Sequence, residues 1–292
     1  MQFKGAYSAL ITPFKDGRID EESYRNFIEW QIEQGIDGLV PCGTTGESAT
    51  LGHAEHKQAI SICVDQAKGR VPVVAGAGSN ATAEAIDLAG YARDAGADAA
   101  LMITPYYNKP TQEGVVAHFK AISKEVSIPM LVYNVPGRTS LNVLPRTMAR
   151  LFNEVPDVIG TKEASADLKQ VSEVIEFSGK DFCVLSGDDF TVLPLLAVGG
   201  HGVISVTSNI VPSMMSEMCA AFHSGDQDRA REVHYQMAPL CRAMFLETNP
   251  IPVKTAVHLM GKCPLEFRLP LVELAGDNAE ALKKVLREHG LI

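Results

Sequence analysis

Gly35-Ile36-Asp37-Gly38-Leu39-Val40 and Gly96-Ala97-Asp98-Ala99-Ala100-Leu101-Met102-Ile103 are two settings of one phrase. In each, a glycine follows a stretch of helical periodicity, a short turn ends in aspartate, and a β-rich apolar run begins. Glycine just past a helix end supplies the left-handed conformation that stops the helix. Working outward, similar runs fall at Ala6–Ile11, Gly38–Val40, Val71–Ala75, Ala99–Ile103, Met130–Tyr133, Val158–Thr161, Cys183–Leu185 and Gly202–Ser205. They recur at about the 30-residue spacing of βαβ units. Helical stretches lie between them, as where Tyr24, Phe27, Ile28 and Ile32 share one face.

Eight such units with no all-β interruption predict an α/β fold, a (β/α)8 TIM barrel over residues 1–224. A doubly wound sheet is the alternative, yet no G-x-G-x-x-G follows the first strand, as a dinucleotide fold would want. Beyond about residue 210 the strand signal stops. Segments Ser213–His223, Asp226–Phe245, Pro252–Met260 and Asn278–Glu288 read as helices. They predict a C-terminal α-helical domain over residues 225–292, which either covers the barrel or makes subunit contacts.

At 292 residues and 46% hydrophobic content, the chain has material for a large core. Its formal charge of −9 excludes the clustered basic footprint of a nucleic-acid binder. An anionic substrate would have to be caught by a few well-placed cations. The six cysteines are scattered with no C-x-x-C pair, which reads as reduced, packed thiols. The N-terminus lacks a signal-peptide pattern, and no apolar run reaches the roughly 18 residues of a membrane span. A cytoplasmic location with no membrane partner is therefore expected.

In a parallel barrel, chemistry gathers where strands end. Lys162 closes the apolar run Val158-Ile159-Gly160-Thr161. The bland alternative is an ion pair with Glu163. The functional one is an imine-forming amine. An ordinary lysine, with pKa about 10.4, is neutral in less than roughly one part in a thousand at pH 7. Desolvation worth about 4 kcal/mol is needed to activate such an amine.

Tyr133 ends the neighbouring strand at an equivalent height, and adjacent strands lie about 4.8 Å apart. A core tyrosine is one reading of it; a proton donor beside Lys162 is the other. Arg138 follows Pro136-Gly137, as a surface charge or as a clamp on a carboxylate. The Gly43-Thr44-Thr45-Gly46 turn offers N–H groups and two hydroxyls to an anion. Gly199, Gly200 and Gly202 precede the last strand, where a helix C-cap explains them better than a phosphate site. His53-Ala54-Glu55-His56 is not H-E-x-x-H, so no metal is expected.

Four phrases carry a resemblance. They are Gly43-Thr44-Thr45-Gly46-Glu47, Pro105-Tyr106-Tyr107-Asn108-Lys109-Pro110, Tyr133-Asn134-Val135-Pro136-Gly137-Arg138-Thr139 and Gly160-Thr161-Lys162-Glu163. In order and spacing they resemble the dihydrodipicolinate synthase family of pyruvate-dependent class I aldolases, in the N-acetylneuraminate lyase superfamily. The likeness extends over essentially the whole chain, including Asn249-Pro250-Ile251-Pro252-Val253-Lys254.

That resemblance implies a lyase condensing pyruvate with L-aspartate 4-semialdehyde, the first committed step toward diaminopimelate and lysine. It implies no metal or organic cofactor. Lys162 would form the imine, Tyr133 would donate and accept protons, and Thr44 and Tyr107 would complete a relay. Thr45 would hold the pyruvate carboxylate and Ile204 would line its site. Arg138 and the Gly187 carbonyl would bind the semialdehyde. Tyr107 would act across a subunit contact in a homo-oligomer, usually a tetramer. Ser48, Ala49, His53, His56, Asn80, Glu84 and Tyr106 resemble the allosteric lysine site of feedback-sensitive members, with Glu84 facing the ligand ammonium. The alternative for His53 and His56 is a pair of partly exposed capping residues.

The rival within the superfamily is N-acetylneuraminate lyase or a keto-sugar-acid aldolase, against which Arg138 speaks because it suits a short carboxylate. A non-catalytic sensor of pyruvate or lysine would need no proton relay. A pyridoxal-phosphate barrel would want its glycines on the other face.

Overall fold

The computed structural model describes residues 3–292. Its eight long-range strands are β1 (Gly5–Ala9), β2 (Gly38–Val40), β3 (Val74–Gly76), β4 (Ala99–Ile103), β5 (Met130–Asn134), β6 (Val158–Glu163), β7 (Cys183–Ser186) and β8 (Gly202–Ser205). They are ordered β2-β1-β8-β7-β6-β5-β4-β3 in one sheet. With helices between successive parallel strands, this is the (β/α)8 barrel the spacing predicts.

Two compact units divide the chain. One comprises Val73–Ile204 with the N-terminal residues up to Gly5. Within it β4 to β8 pair in parallel, and Met102, Leu131, Val132, Val184, Leu185 and Ile204 are buried. Strands covered on both faces read as unbroken apolar runs, which is why they were legible. The other unit comprises Ala6–Pro72 and Ser205–Ile292, where β1 pairs with β2. It also holds the tail helices Pro212–Ser224, Gln227–Ala243, Ile251–Leu259 and Gly276–Glu288.

The repeated phrase does the same job in both units. Gly35 and Gly96 take φ of +81° and +91° at their helix ends. The aspartate that follows is a backbone acceptor: Asp37 Oδ2 receives the Ala6 N–H at 2.7 Å, and Asp98 Oδ2 receives the Val73 N–H at 2.8 Å. Each carboxylate thus holds the start of the preceding strand. Burial raises the Asp37 pKa above the ordinary carboxylate value.

Three strand ends differ from expectation by two residues or more, each for a local reason. Beyond β1 the ladder ends because the Ile11 N–H is taken by Asn209 Oδ1 at 3.1 Å. β3 starts late because Pro72 has no N–H and that of Val73 goes to Asp98. β6 runs on to Glu163, which places Lys162 inside the strand and not in the loop after it. A small hairpin, Phe14–Lys15 with Arg18–Ile19, was not anticipated, although Asp16-Gly17 at its tip is a strong hairpin signal. Gly199, at φ +106°, and Gly200 close the preceding helix as expected, their N–H groups returning to the carbonyls of Leu196 and Leu195, and only Gly202 differs. Gly202 sits where a Cβ would come within 2.0 Å of the Gly5 carbonyl oxygen, so close backbone approach requires it.

The β5–β6 pairing contains an irregularity that matters below. Met130 pairs with Val158 but Leu131 pairs with Gly160, so Ile159 is one extra residue on β6. From there the register runs Tyr133 with Lys162 and Asn134 with Glu163.

Candidate functional site

Lys162 and Tyr133 stand side by side on β6 and β5, each only 6% exposed. The amine Nζ lies over the phenol ring, 4.3 Å from its centroid. The expected rival, an ion pair with Glu163, does not form. Neighbouring strand residues point to opposite faces, and the Glu163 carboxylate is filled from its own side. It accepts from Asn134 Nδ2 at 3.0 and 3.3 Å, from Gln170 Nε2 at 3.3 Å and from the Ser165 N–H at 2.8 Å. Asn142 braces the group, its Oδ1 accepting from Asn134 Nδ2 while it exchanges hydrogen bonds with Gln170. Sequence reasoning missed this network, although strand alternation alone separates Lys162 from Glu163.

Gly187 follows β7, its N–H bonded to the Glu163 carbonyl at 2.7 Å. A Cβ there would come within 2.6 Å of the Ala164 Cβ and 3.0 Å of Lys162 Cε. Its lack of a side chain is what leaves room for the lysine stem. Ile204 is fully buried in β8. Arg138 is exposed on the one-turn helix Pro136–Thr139 that follows β5. Tyr107 is 90% exposed with φ +71°, in a loop held by Asn80 Nδ2 to the Tyr106 carbonyl (3.1 Å) and Asn108 Nδ2 to the Asn80 carbonyl (2.9 Å).

The threonine turn belongs to the other unit. Gly46 and Glu47 N–H groups return to the carbonyls of Gly43 and Thr44, and Thr12 Oγ1 donates to the Gly46 carbonyl at 2.8 Å. Thr44 is half-buried and Thr45 buried. Two tail residues reach this turn. Asn249 Nδ2 donates to Thr45 Oγ1 at 3.0 Å, and Lys254 Nζ meets Glu47 Oε1 at 2.6 Å. The Lys254–Glu47 pair is almost wholly buried, and the amine also lies 4.1 Å from the Phe14 ring centroid. Burial pulls the Lys254 pKa below the ordinary lysine value, and Glu47 opposes that pull. The Arg268 N–H gives Glu47 a further donor at 3.2 Å. Neither Asn249 nor Lys254 had been assigned a role from sequence, because their partners lie some two hundred positions away.

The seven residues of the expected lysine set fall in both units. Ser48 and Ala49 share the single 3₁₀ turn Ser48–Thr50, ahead of helix His53–Ala67. His53 is exposed and His56 buried, and neither caps the helix: Glu55 Oε2 accepts the Gly52 N–H at 3.2 Å. In the other unit Asn80 binds the Tyr106 carbonyl, and Glu84 accepts a short bond from Ser79. Among the described residues no group of three or more His, Cys, Asp or Glu is placed to hold a metal. No helix among them is long and apolar enough to cross a membrane.

Comparison with known proteins fits this geometry. A protein of Oleidesulfovibrio alaskensis, named 4-hydroxy-tetrahydrodipicolinate synthase, is 66% identical over the full length of both chains. A chloride-inhibited dihydrodipicolinate synthase from Acinetobacter baumannii, solved with pyruvate, is 44% identical and superposes with a TM-score of 0.96 over 99% of each chain. A synthase from Cyanidioschyzon merolae solved with lysine bound is 36% identical, with a TM-score of 0.96 over 99% of each chain. The Dihydrodipicolinate synthetase family profile matches residues 2–289. The chain belongs to the dihydrodipicolinate synthetase family.

Proposed function

We propose that this chain condenses pyruvate with L-aspartate 4-semialdehyde to 4-hydroxy-tetrahydrodipicolinate through an imine on Lys162, committing carbon to diaminopimelate and lysine. The observation that carries it is a buried lysine with no ion pair, set over the ring of Tyr133. The neutral amine adds to the C2 carbonyl of pyruvate and water leaves, giving the protonated imine. That imine is an electron sink, so a methyl proton departs to give the enamine, whose carbon attacks the aldehyde. The amine of the second substrate then closes the ring and displaces Lys162.

Each step moves a proton, and Tyr133, Thr44 and Tyr107 form the relay. Thr45 holds the pyruvate carboxylate in a site lined by Ile204, while Arg138 and the Gly187 carbonyl receive the semialdehyde. No cofactor takes part. The catalytic barrel spans residues 1–224 and the helical domain 225–292, in a cytoplasmic homotetramer. The exposed ring of Tyr107 supports its action across a subunit contact. Lysine acts as feedback inhibitor through Ser48, Ala49, His53, His56, Asn80, Glu84 and Tyr106, a reading supported by the lysine-bound relative.

Borohydride reduction with pyruvate, followed by peptide mass spectrometry, tests the imine. The expected result is a reduced pyruvyl adduct on the Lys162 peptide; an unmodified peptide overturns the reading.

A further inference from the structure

The geometry points to Asn249 as a positioning residue that fixes the Thr45 hydroxyl as a hydrogen-bond donor to the substrate carboxylate. This rests on the reading of Thr45 given above and deepens it. A hydroxyl has one proton and two acceptor lone pairs, and it turns to suit its neighbours. In a carboxylate site only the orientation that offers the proton is useful, because an ionised carboxylate only accepts. Asn249 Nδ2 donates into Thr45 Oγ1 at 3.0 Å, and both residues are at least nine-tenths buried. One lone pair is thereby occupied and the proton is sent elsewhere.

Asn249 is itself held. It lies in the turn closed by the Ile251 N–H to the Thr248 carbonyl at 3.0 Å, just ahead of helix Ile251–Leu259. Lys254 of that helix is locked on Glu47, two residues from Thr45. Two anchors on one tail segment thus grip one turn: the ion pair fixes the backbone, and the amide sets the polarity of the hydroxyl.

The test compares Asn249→Asp and Asn249→Ala with the parent enzyme, using steady-state kinetics in both substrates and thermal melts to confirm folding. A carboxylate at 249 can only accept, so it draws the Thr45 proton toward itself and away from the substrate. The expected result for Asn249→Asp is a pyruvate KM raised about 10-fold, the equivalent of one charge-assisted hydrogen bond. The KM for the semialdehyde and kcat at saturating pyruvate stay within about 2-fold, because the loss is uniform binding. Asn249→Ala, which removes the amide without adding charge, raises the pyruvate KM less than the Asp variant does. Thr45→Val is the control for the underlying reading. If Thr45→Val raises the pyruvate KM and neither folded Asn249 variant does, the role of Asn249 is overturned and that of Thr45 stands. If Thr45→Val itself leaves the pyruvate KM unmoved, Thr45 is not the carboxylate ligand and both fall.

Discussion

Lys162 faces Tyr133 because the β5–β6 register steps past Ile159. Were Ile159 paired with Leu131, Tyr133 would register against Thr161, and Lys162 would fall opposite Asn134, on the face that Glu163 now occupies. The chemistry therefore depends on the register of two strands as well as on the residues they carry. Replacing Lys162 by Ala is expected to abolish borohydride trapping, since among the described residues no other amine is placed over this ring. Tyr133→Phe keeps the ring under the amine and removes only the hydroxyl. It should leave the fold intact and lower kcat by roughly 10²- to 10⁴-fold, as for loss of a general acid–base group. Full activity in the Phe variant would remove Tyr133 from the relay.

Gly187 is the second check on the lysine stem. Gly187→Ala puts a methyl group within 2.6 Å of Ala164 and 3.0 Å of Lys162 Cε. Relieving that overlap is expected to cost about 1–3 kcal/mol of stability and to displace the amine. The measurement is the trapping rate with pyruvate alone, compared with the urea midpoint. An alanine variant that traps pyruvate at the parent rate would show that the stem does not need the space.

The buried Glu47–Lys254 pair should be costly to break and cheap to replace. Lys254→Met leaves the Glu47 carboxylate buried without its counter-charge, the Arg268 N–H still donating to it, and a loss of about 3–5 kcal/mol is expected. The double variant Glu47→Leu with Lys254→Met removes both charges and should recover most of that loss. Denaturant unfolding of the parent, the two single variants Glu47→Leu and Lys254→Met, and the double variant measures the coupling, and additive losses would contradict it.

Acid sensitivity has an identifiable source in His118. It is buried, with Nδ1 on the Thr82 hydroxyl at 2.9 Å, and burial lowers its pKa to about 4. Its Nε2 has no partner, so protonation would bury an unmet donor. A base with a folded pKa below its unfolded value near 6.5 contributes stability that is fully present above pH 6.5. That contribution, about 3 kcal/mol at most, is lost as pH falls toward 4. His118→Gln should flatten the decline in unfolding free energy between pH 6.5 and 4.5. An unchanged slope would assign that decline to other groups.

What was legible in the sequence follows the range of the forces involved. Strand runs, glycine caps and the Lys162–Tyr133 height are local or periodic signals, and the structure repeats them. The role of Asp37 and Asp98 was hidden although their phrase was seen, because a side-chain bond to the preceding strand leaves no periodic trace. The Glu163 cluster was obscured by proximity: sequence neighbours look like partners, whereas a strand sends them to opposite faces. Asn249 and Lys254 carry no local signal at all, since only the folded chain brings them to Thr45 and Glu47. The threonine turn and Arg138 offered an anion site from the residues themselves, but which substrate each would hold, and the lysine site, come from family likeness.

The partner of Thr45 lies 204 residues downstream and that of Glu47 lies 207. At a ribosomal rate of about 5–20 residues per second, the threonine turn waits on the order of ten to forty seconds for them. A nascent chain that has already made Lys162 and Tyr133 still lacks both side chains that brace this turn. Chains cut short before residue 249 would carry the turn without the amide on Thr45, and with Glu47 lacking its counter-charge. The turn is thus finished only when translation has nearly ended.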